Sequence, residues 1–186
     1  MRKNIVLGIT GSIASYKACE IASALTKENF SVYVAMTAEA LRFLTPLTFQ
    51  HLTKNPVITD MFEAQEGFSP YHISLADKAD LILVAPATAN IIGKVASGIC
   101  DDILSCTIIS STSPVLFAPA MNEKMYKNKI VQANIKRLKT LGYRFISPIK
   151  GKLACGYIGL GHIAEVDDII NAVKQILKRK AASKPR

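Results

Sequence analysis

Buried-strand patterns alternate along the chain with segments whose apolar residues recur every three or four positions. Four segments predict strands that are covered on both faces, because they are continuously apolar or nearly so. These are Ile5–Ile9, Ser31–Met36, Asp80–Ala85 and Pro114–Ala118. A further strand is predicted from Tyr143 to Ser147. Strands that alternate with helices predict an α/β fold: a doubly wound, Rossmann- or flavodoxin-like parallel sheet with helices on both faces.

Helical spacing of apolar residues follows each predicted strand. After the first strand, positions such as Ala14, Ala18 and Ile21 would share one face of a helix. The later predicted helices are Ala38–Leu44, Pro46–Leu52, Ile73–Ala79, one from Ile91, Asp102–Ser110, Glu123–Leu141 and one capped by Asp167 or Asp168. Gly142 is the expected C-terminal cap of the long predicted helix Glu123–Leu141.

Small polar turns follow three of the predicted strands, at Thr10–Ser12, Pro86–Asn90 and Pro119–Asn122. Carboxyl ends of parallel strands share one edge of a sheet, and ligands bind there. The first turn precedes a helix N-terminus, which favours phosphate, but Gly8 and Gly11 do not fit the dinucleotide pattern G-x-G-x-x-G. We therefore expect one site for a planar, phosphate-bearing ligand other than NAD. The residues alone leave Asn122 open as either a helix cap or a ligand contact.

Bulk composition indicates one ordinary globular domain. The chain has 186 residues, 49% of them hydrophobic and 20% charged. We place the domain at residues 1–177 and a basic, disordered tail at residues 178–186. The tail holds five basic side chains, and removing them from the net charge of +9 leaves +4. We expect no nucleic-acid partner, because tryptophan is absent and no aromatic residues are interleaved with basic ones. Without a membrane-length apolar run or a secretory signal pattern, the expected location is cytoplasmic.

The cysteines show neither a C-x-x-C pair nor zinc spacing, so no metal site is predicted. Three lie in apolar, helix-like segments and are expected to be inert core thiols: Cys19, Cys100 and Cys106. Cys155 differs because the glycine-rich segment Gly151–Gly161 surrounds it. Such a segment is either a surface connection or a flap over a ligand. His72 follows the loop-like stretch Glu63–Tyr71, and the residues alone leave a surface or capping role open for it.

Three segments of the chain, in the same order as in the family, resemble motifs of the flavin-dependent cysteine decarboxylases. They are Gly8–Lys17, Ala85–Asn90 and Pro119–Tyr126, the last of which fits the pattern P-x-M-N-x-x-M-aromatic. Ala154–Gly156 supplies a fourth match, and the resemblance extends from Ile5 to about Val173. It implies bound FMN and a homo-oligomer built from trimers, either a trimer or a dodecamer, with each flavin site near a subunit interface. The chain ends where the synthetase half of a bifunctional relative would begin, so we expect a monofunctional or separately encoded decarboxylase.

The resemblance also implies residue roles. FMN would contact Gly11, Ser12, Ile13, Thr37, Thr88, Ala89, Asn90, Ile91 and Ala120. His72 would act as base, Asn122 would hold the substrate carboxylate, and Cys155 would donate a proton. The substrate would further meet Met125, Ala154 and Gly156. The implied reaction is FMN-dependent decarboxylation of phosphopantothenoylcysteine to phosphopantetheine in coenzyme A biosynthesis, through a thioaldehyde and an ene-thiolate.

The chemistry favours a flavin, because an acylated cysteine nitrogen cannot form a Schiff base. Oxidising the thiol to a thioaldehyde provides the electron sink, and a flavin can take that hydride and return it. The alternatives are a peptide C-terminal cysteine decarboxylase and a flavin prenyltransferase. Cys155 disfavours the first, because only a saturated product needs a proton donor, and the P-x-M-N segment and Cys155 disfavour the second. Departures from the family at Ser74, His162 and Ile163 leave the flap contacts open.

Overall fold

Six parallel strands form the central sheet of the computed structural model, which describes residues 2–62, 70–152 and 156–182. The strands are β1 Asn4–Ile9, β2 Ser31–Met36, β3 Val57–Ile58, β4 Leu81–Ala87, β5 Val115–Pro119 and β6 Arg144–Phe145. Their order across the sheet is β3-β2-β1-β4-β5-β6, so the winding reverses between β1 and β4. This is the predicted doubly wound fold, and the reversal point is where such sheets bind ligands.

Eight helices and a hairpin complete the described part of the chain. The helices are α1 Tyr16–Lys27, α2 Pro46–Thr53, α3 Tyr71–Lys78, α4 Ala89–Ser97, α5 Ile103–Ser110, α6 Glu123–Lys127, α7 Lys129–Thr140 and α8 Val166–Ala182. The hairpin pairs β7, Ile149–Lys152, antiparallel with β8, Ile158–His162. Within the described ranges, no helix has the length and apolar character needed to cross a bilayer.

Alternate residues of β1 enter two separate cores, one on each face of the sheet. Ile5, Leu7 and Ile9 pack into the core that α1, α2 and α8 cover. Val6 points to the other core, which contains residues of α4, α5 and α7. All four side chains are completely buried, and each contributes about 2 kcal/mol by leaving water. The uninterrupted apolar run of β1 follows from this burial on both faces.

The predicted helix Glu123–Leu141 is two helices, and Asn128 separates them. Its backbone is extended (φ −61°, ψ 134°), which ends α6. Its side-chain Oδ1 then accepts a hydrogen bond from the backbone N–H of Ile130 at 2.9 Å, which caps α7. An asparagine side chain competes in this way with the helical backbone, which hydrophobic spacing alone does not reveal. Gly142 follows α7 with φ 91°, as expected of a residue after a helix.

The glycine-rich segment forms a β-hairpin at both of its described ends, and no strand was predicted there. Glycines have low strand propensity, which hid the strands in the sequence. Packing requires a glycine at position 161, because a Cβ there would lie 2.1 Å from the backbone oxygen of Met121. The hairpin therefore rests directly on the segment that follows β5.

Other predictions also differ from the structure, among them the helix Ala38–Leu44, of which only Ala40–Arg42 is helical, as one 3-10 turn. Cys100 is exposed, so it is not a core thiol, whereas Cys19 and Cys106 are half-buried. His72 lies within the first turn of α3, so it belongs to the helix rather than preceding it. Helix α8 continues to Ala182 and so extends past residue 177, where we placed the domain boundary. Residues 183–186 of the predicted tail lie outside the described residues.

The cap at Asn128 can be tested with Asn128→Ala. Loss of the side-chain acceptor should lower the free energy of unfolding by about 1 kcal/mol, measured by urea denaturation. Asn171→Ala, at an exposed position inside α8, serves as the matched control and should cost nothing. Equal stability of the wild type and Asn128→Ala would show that the cap does not hold the break between α6 and α7.

Candidate active site

A cavity of about 240 Å³ opens at the carboxyl edge of the sheet, beside the reversal point. Its walls come from the residues after β1, β2 and β4 and from the starts of α5 and α6. They are Thr10, Gly11, Thr37, Glu39, Thr88, Ala89, Asn90, Ile91, Asp102 and Met125. Most of the positions predicted to contact FMN therefore meet in one place, together with Met125 from the predicted substrate set.

A buried hydroxyl ties the two central strands together at this edge. Thr10, which is 2% exposed, donates from Oγ1 to the backbone oxygen of Pro86 at 2.7 Å. Thr10 Oγ1 also accepts from the backbone N–H of Thr88 at 3.2 Å. Thr88 in turn caps α4, because its Oγ1 accepts from the N–H of Ile91 at 3.5 Å. These contacts place the first turn of α4 beside the turn that follows β1.

The turn after β1 has the features of an anion-binding loop. Ser12 caps it, with Oγ accepting from the N–H of Ala14 at 3.2 Å. The buried Ser15 stabilises the same turn, because its Oγ donates to the backbone oxygen of Thr10 at 2.9 Å. Gly11 leaves no room for a side chain, since a Cβ would lie 2.4 Å from the Cβ of Glu39. Gly11 is therefore required for packing against Glu39, and the capped helix start after it favours phosphate. Ile13, the next predicted contact, is 62% exposed.

Thr37 supplies the most informative polar atom of the cavity. The residue is 5% exposed, and its Oγ1 is buried with no hydrogen-bond partner among the described residues. A buried hydroxyl without a partner destabilises a fold by about 1–3 kcal/mol. Such a group in a cavity wall fits a ligand that brings its own hydrogen-bonding atom.

Asp102 and Lys94 form an ion pair behind the cavity wall. One oxygen of Asp102 accepts from the N–H of Ser105 at 2.8 Å and so caps α5, and the other lies 2.8 Å from Lys94 Nζ. Burial opposes ionisation of Asp102, but the hydrogen bonds from Lys94 and Ser105 outweigh it and hold its pKa below the ordinary value. Lys94 also contacts Asp101 at 2.7 Å. The Asp102 carboxylate, which lines the cavity, is therefore ionised, and the charge of Lys94 balances its charge.

Hydrogen bonds at both ends of the Asn122 amide orient it. Its Oδ1 accepts from the N–H of Lys124 at 2.8 Å, so the capping role is confirmed. Its Nδ2 donates to the hydroxyl of Tyr157 on the hairpin at 3.1 Å. The neighbouring Ala120 is 3% exposed, belongs to the core and does not line the cavity, so its contact with FMN stays a prediction. Asn122 thus links the start of α6 to the hairpin beside the cavity.

The remaining predicted residues do not line this cavity in the described part of the chain. His72 is half-buried on α3, and its Nδ1 is buried without a partner among the described residues. Ala154 and Cys155 lie outside the described residues. Gly156 is exposed, with φ 93°. No three His, Cys, Asp or Glu side chains form a metal site within the described ranges.

Sequence reasoning did not identify three of the residues that line the cavity. Thr10 directly follows a buried strand, and that position was a usable signal for a hydroxyl at the site. Asp102 was predicted only as a helix cap, because the chain alone does not show that Lys94 turns toward it. Glu39 carries no signal except its position two residues after Thr37.

A family model described as Flavoprotein matches residues 1–178. The chain belongs to the flavoprotein family. It is 48% identical over 173 residues to the coenzyme A biosynthesis bifunctional protein CoaBC of Bacillus subtilis, covering 93% of this chain and 43% of that protein. It is 44% identical to the probable phosphopantothenoylcysteine decarboxylase of Streptococcus mutans, over 95% of this chain and 100% of that protein. The chain thus spans less than half of the bifunctional relative.

Solved structures of similar proteins agree with the fold. A cysteine-to-serine variant of PPC decarboxylase, complexed with pantothenoylaminoethenethiol, matches with a TM-score of 0.86 and 32% identity over 96% of this chain and 100% of that chain. The FMN binding protein AtHal3 matches with a TM-score of 0.82 and 30% identity over 100% of both chains. These findings confirm the predicted α/β class and the family resemblance.

The ion pair behind the cavity predicts a pH-dependent stability. Asp102→Asn keeps a capping oxygen but loses the charge, and should cost about 1–2 kcal/mol of unfolding free energy at neutral pH. Because folding lowers the pKa of Asp102, its stabilisation is present above the unfolded-state pKa and is lost as pH falls through the folded-state pKa. The difference between wild type and variant, measured by urea denaturation, should therefore shrink in acid. Asp77→Asn, at an exposed position, is the control. If the difference in unfolding free energy between the wild type and Asp102→Asn stayed constant with pH, the stabilising role of the ion pair would be contradicted.

Proposed function

We propose that this protein is an FMN-dependent phosphopantothenoylcysteine decarboxylase, which forms phosphopantetheine and carbon dioxide in coenzyme A biosynthesis. The observation that carries the proposal is the cavity at the sheet reversal, where Gly11, Thr37, the Thr88–Ile91 turn and Met125 of α6 meet. The names of the relatives with which the chain aligns along most of its length support the same activity.

The residues of the cavity fit FMN. Thr37 has a buried hydroxyl that needs a partner, and the turn at Gly11 leads into a capped helix start of the kind that favours phosphate. Thr88 to Ile91 offer a capped helix start of small and polar residues against which a flat ring can pack. Ser12 and Ile13 follow Gly11 and would complete the phosphate contacts. When bound, FMN supplies a reversible hydride acceptor for the substrate thiol.

Three residues of the chain would then act on the substrate. Asn122 would hold the carboxylate through Nδ2, on the side of its amide opposite the atom that caps α6. His72 would accept the proton that the thiol loses during oxidation. Cys155 would give a proton to the ene-thiolate left after carbon dioxide departs, since an ordinary thiol is mostly protonated at neutral pH. Met125, Ala154 and Gly156 would surround the substrate.

We also propose that copies of the chain assemble into trimers, or into a dodecamer of trimers. In one chain, His72 is outside the set of described residues that line the cavity. Large apolar side chains are exposed after the β1 turn and on α6, with Ile13 at 62%, Tyr16 at 50% and Met125 at 49%. A neighbouring copy that covers this surface would bury the apolar side chains and bring its own His72 to the site.

Thr37→Val tests the fit of the cofactor. Valine removes the buried hydroxyl, so FMN should bind about tenfold more weakly. The cofactor-free protein should be at least as stable as the wild type, because valine removes a buried hydroxyl that has no partner among the described residues. Fluorescence titration with FMN and urea denaturation measure the two effects, with Thr112→Val on an exposed loop as control. Unchanged FMN affinity together with a less stable apoprotein would mean that Thr37 has only a structural role.

The reaction is tested by mass spectrometry of products from FMN-loaded protein and phosphopantothenoylcysteine. The wild type should release carbon dioxide and form phosphopantetheine. Cys155→Ser should accumulate the oxidised ene-thiol, and His72→Asn should bind FMN without decarboxylating the substrate. His51→Asn, on the surface of α2, is the control. If the wild type leaves this substrate intact and instead decarboxylates a peptide that ends in cysteine, the peptide alternative is correct.

A further inference from the structure

The hydroxyl of Tyr157 occupies the position next to the amide nitrogen of Asn122, with Nδ2 and Oη 3.1 Å apart. The direction of this hydrogen bond is set by the other end of the amide. Oδ1 accepts from the N–H of Lys124, so the nitrogen must face Tyr157. The phenol oxygen is consequently the acceptor in this pair.

The hairpin that carries Tyr157 is fastened to the start of α6 by backbone contacts. The N–H of Leu160 donates to Glu123 Oε1 at 3.1 Å, and the N–H of Met121 donates to the oxygen of Gly161 at 3.1 Å. The ring of Tyr157 is not enclosed by the core, since the residue is 38% exposed. The hydroxyl is therefore held at Asn122 by the docked hairpin rather than by packing of the ring.

A phenol can accept and donate at the same time. Asn122 uses the acceptor side of Tyr157, and no acceptor for the phenolic proton is found in the described part of the chain. An ionised carboxylate is a pure acceptor with room for several donors. The hydrogen bond from Asn122 also polarises the phenol, which strengthens it as a donor. The amide N–H of Asn122 and the O–H of Tyr157 are thus two donors suited to one carboxylate acceptor.

Neutral donors also suit the reaction. Negative charge leaves the carboxylate as carbon dioxide forms, so a cation paired with it would stabilise the ground state more than the transition state and would slow the step. A phenol and an amide orient the substrate carboxylate but stabilise its charge less than a cation would.

We propose that Tyr157 is a substrate-positioning and specificity-determining residue, whose O–H donates to the same carboxylate that Asn122 binds. It selects for a free carboxylate on the cysteine part of the substrate. This role rests on the proposed function, because that function places the carboxylate at Asn122.

Tyr157→Phe removes the hydroxyl and keeps the ring. We expect the KM for phosphopantothenoylcysteine to rise about tenfold, with kcat within about twofold of the wild type. The Kd of phosphopantetheine, which lacks the carboxylate, should stay unchanged when measured by calorimetry. Substrate Kd can be measured without turnover by adding Tyr157→Phe to the inactive His72→Asn protein, where it should also rise about tenfold. Tyr126→Phe, on the adjacent α6, is the matched control and should leave all values unchanged.

An unchanged KM in Tyr157→Phe, with the wild type active, would overturn this role alone. Equal losses of affinity for substrate and product would also overturn it, because they would show that the hydroxyl only supports the hairpin. A wild type that neither binds nor decarboxylates phosphopantothenoylcysteine would instead overturn the proposed function, and this role with it.

Discussion

The site depends on one buried hydroxyl, Thr10 Oγ1, which bridges the ends of the two central strands. It donates to the backbone of Pro86 and accepts from the backbone of Thr88, so it satisfies two main-chain groups that would otherwise be buried unpaired. Because β1 and β4 are neighbours at the point where the winding reverses, this bridge sets the turn at Gly11 against the start of α4. Both walls of the proposed FMN cavity follow from that arrangement.

Polar groups around the cavity divide into those that stabilise the fold and those that await a ligand. Asp102 is fully engaged by Lys94 and Ser105, and Asn122 is engaged at both ends of its amide. By contrast, Thr37 has a buried oxygen without a partner among the described residues. A fold retains such a destabilising group where binding offsets its cost, which is the pattern expected of a binding site.

The sheet was predictable because strands buried on both faces leave long apolar runs, and β2 has the predicted bounds. The cavity positions were largely predictable, because Thr37 and Thr88 directly follow strands and Gly11 lies two residues after β1. Two-residue strands such as β3 have too few residues to show a period, and the hairpin β7–β8 was hidden by its glycines. The contacts of Tyr157 with Asn122 and of Lys94 with Asp102 join separate elements, so no local pattern reports them. His72 was predicted from the family pattern alone, and its place outside the cavity of its own chain could not be read from residue order.

A crystal structure of the protein with FMN tests the central claim most directly, because that claim locates the cofactor. The account predicts flavin density in the cavity between Thr37 and the Thr88–Ile91 turn, with the phosphate at Gly11 and a ligand atom within hydrogen-bond distance of Thr37 Oγ1. Flavin bound at another place, such as the cavity at the opposite edge of the sheet that Ser111, Tyr143 and Arg144 help to line, would contradict it. So would a Thr37 hydroxyl that remains without a partner beside bound flavin.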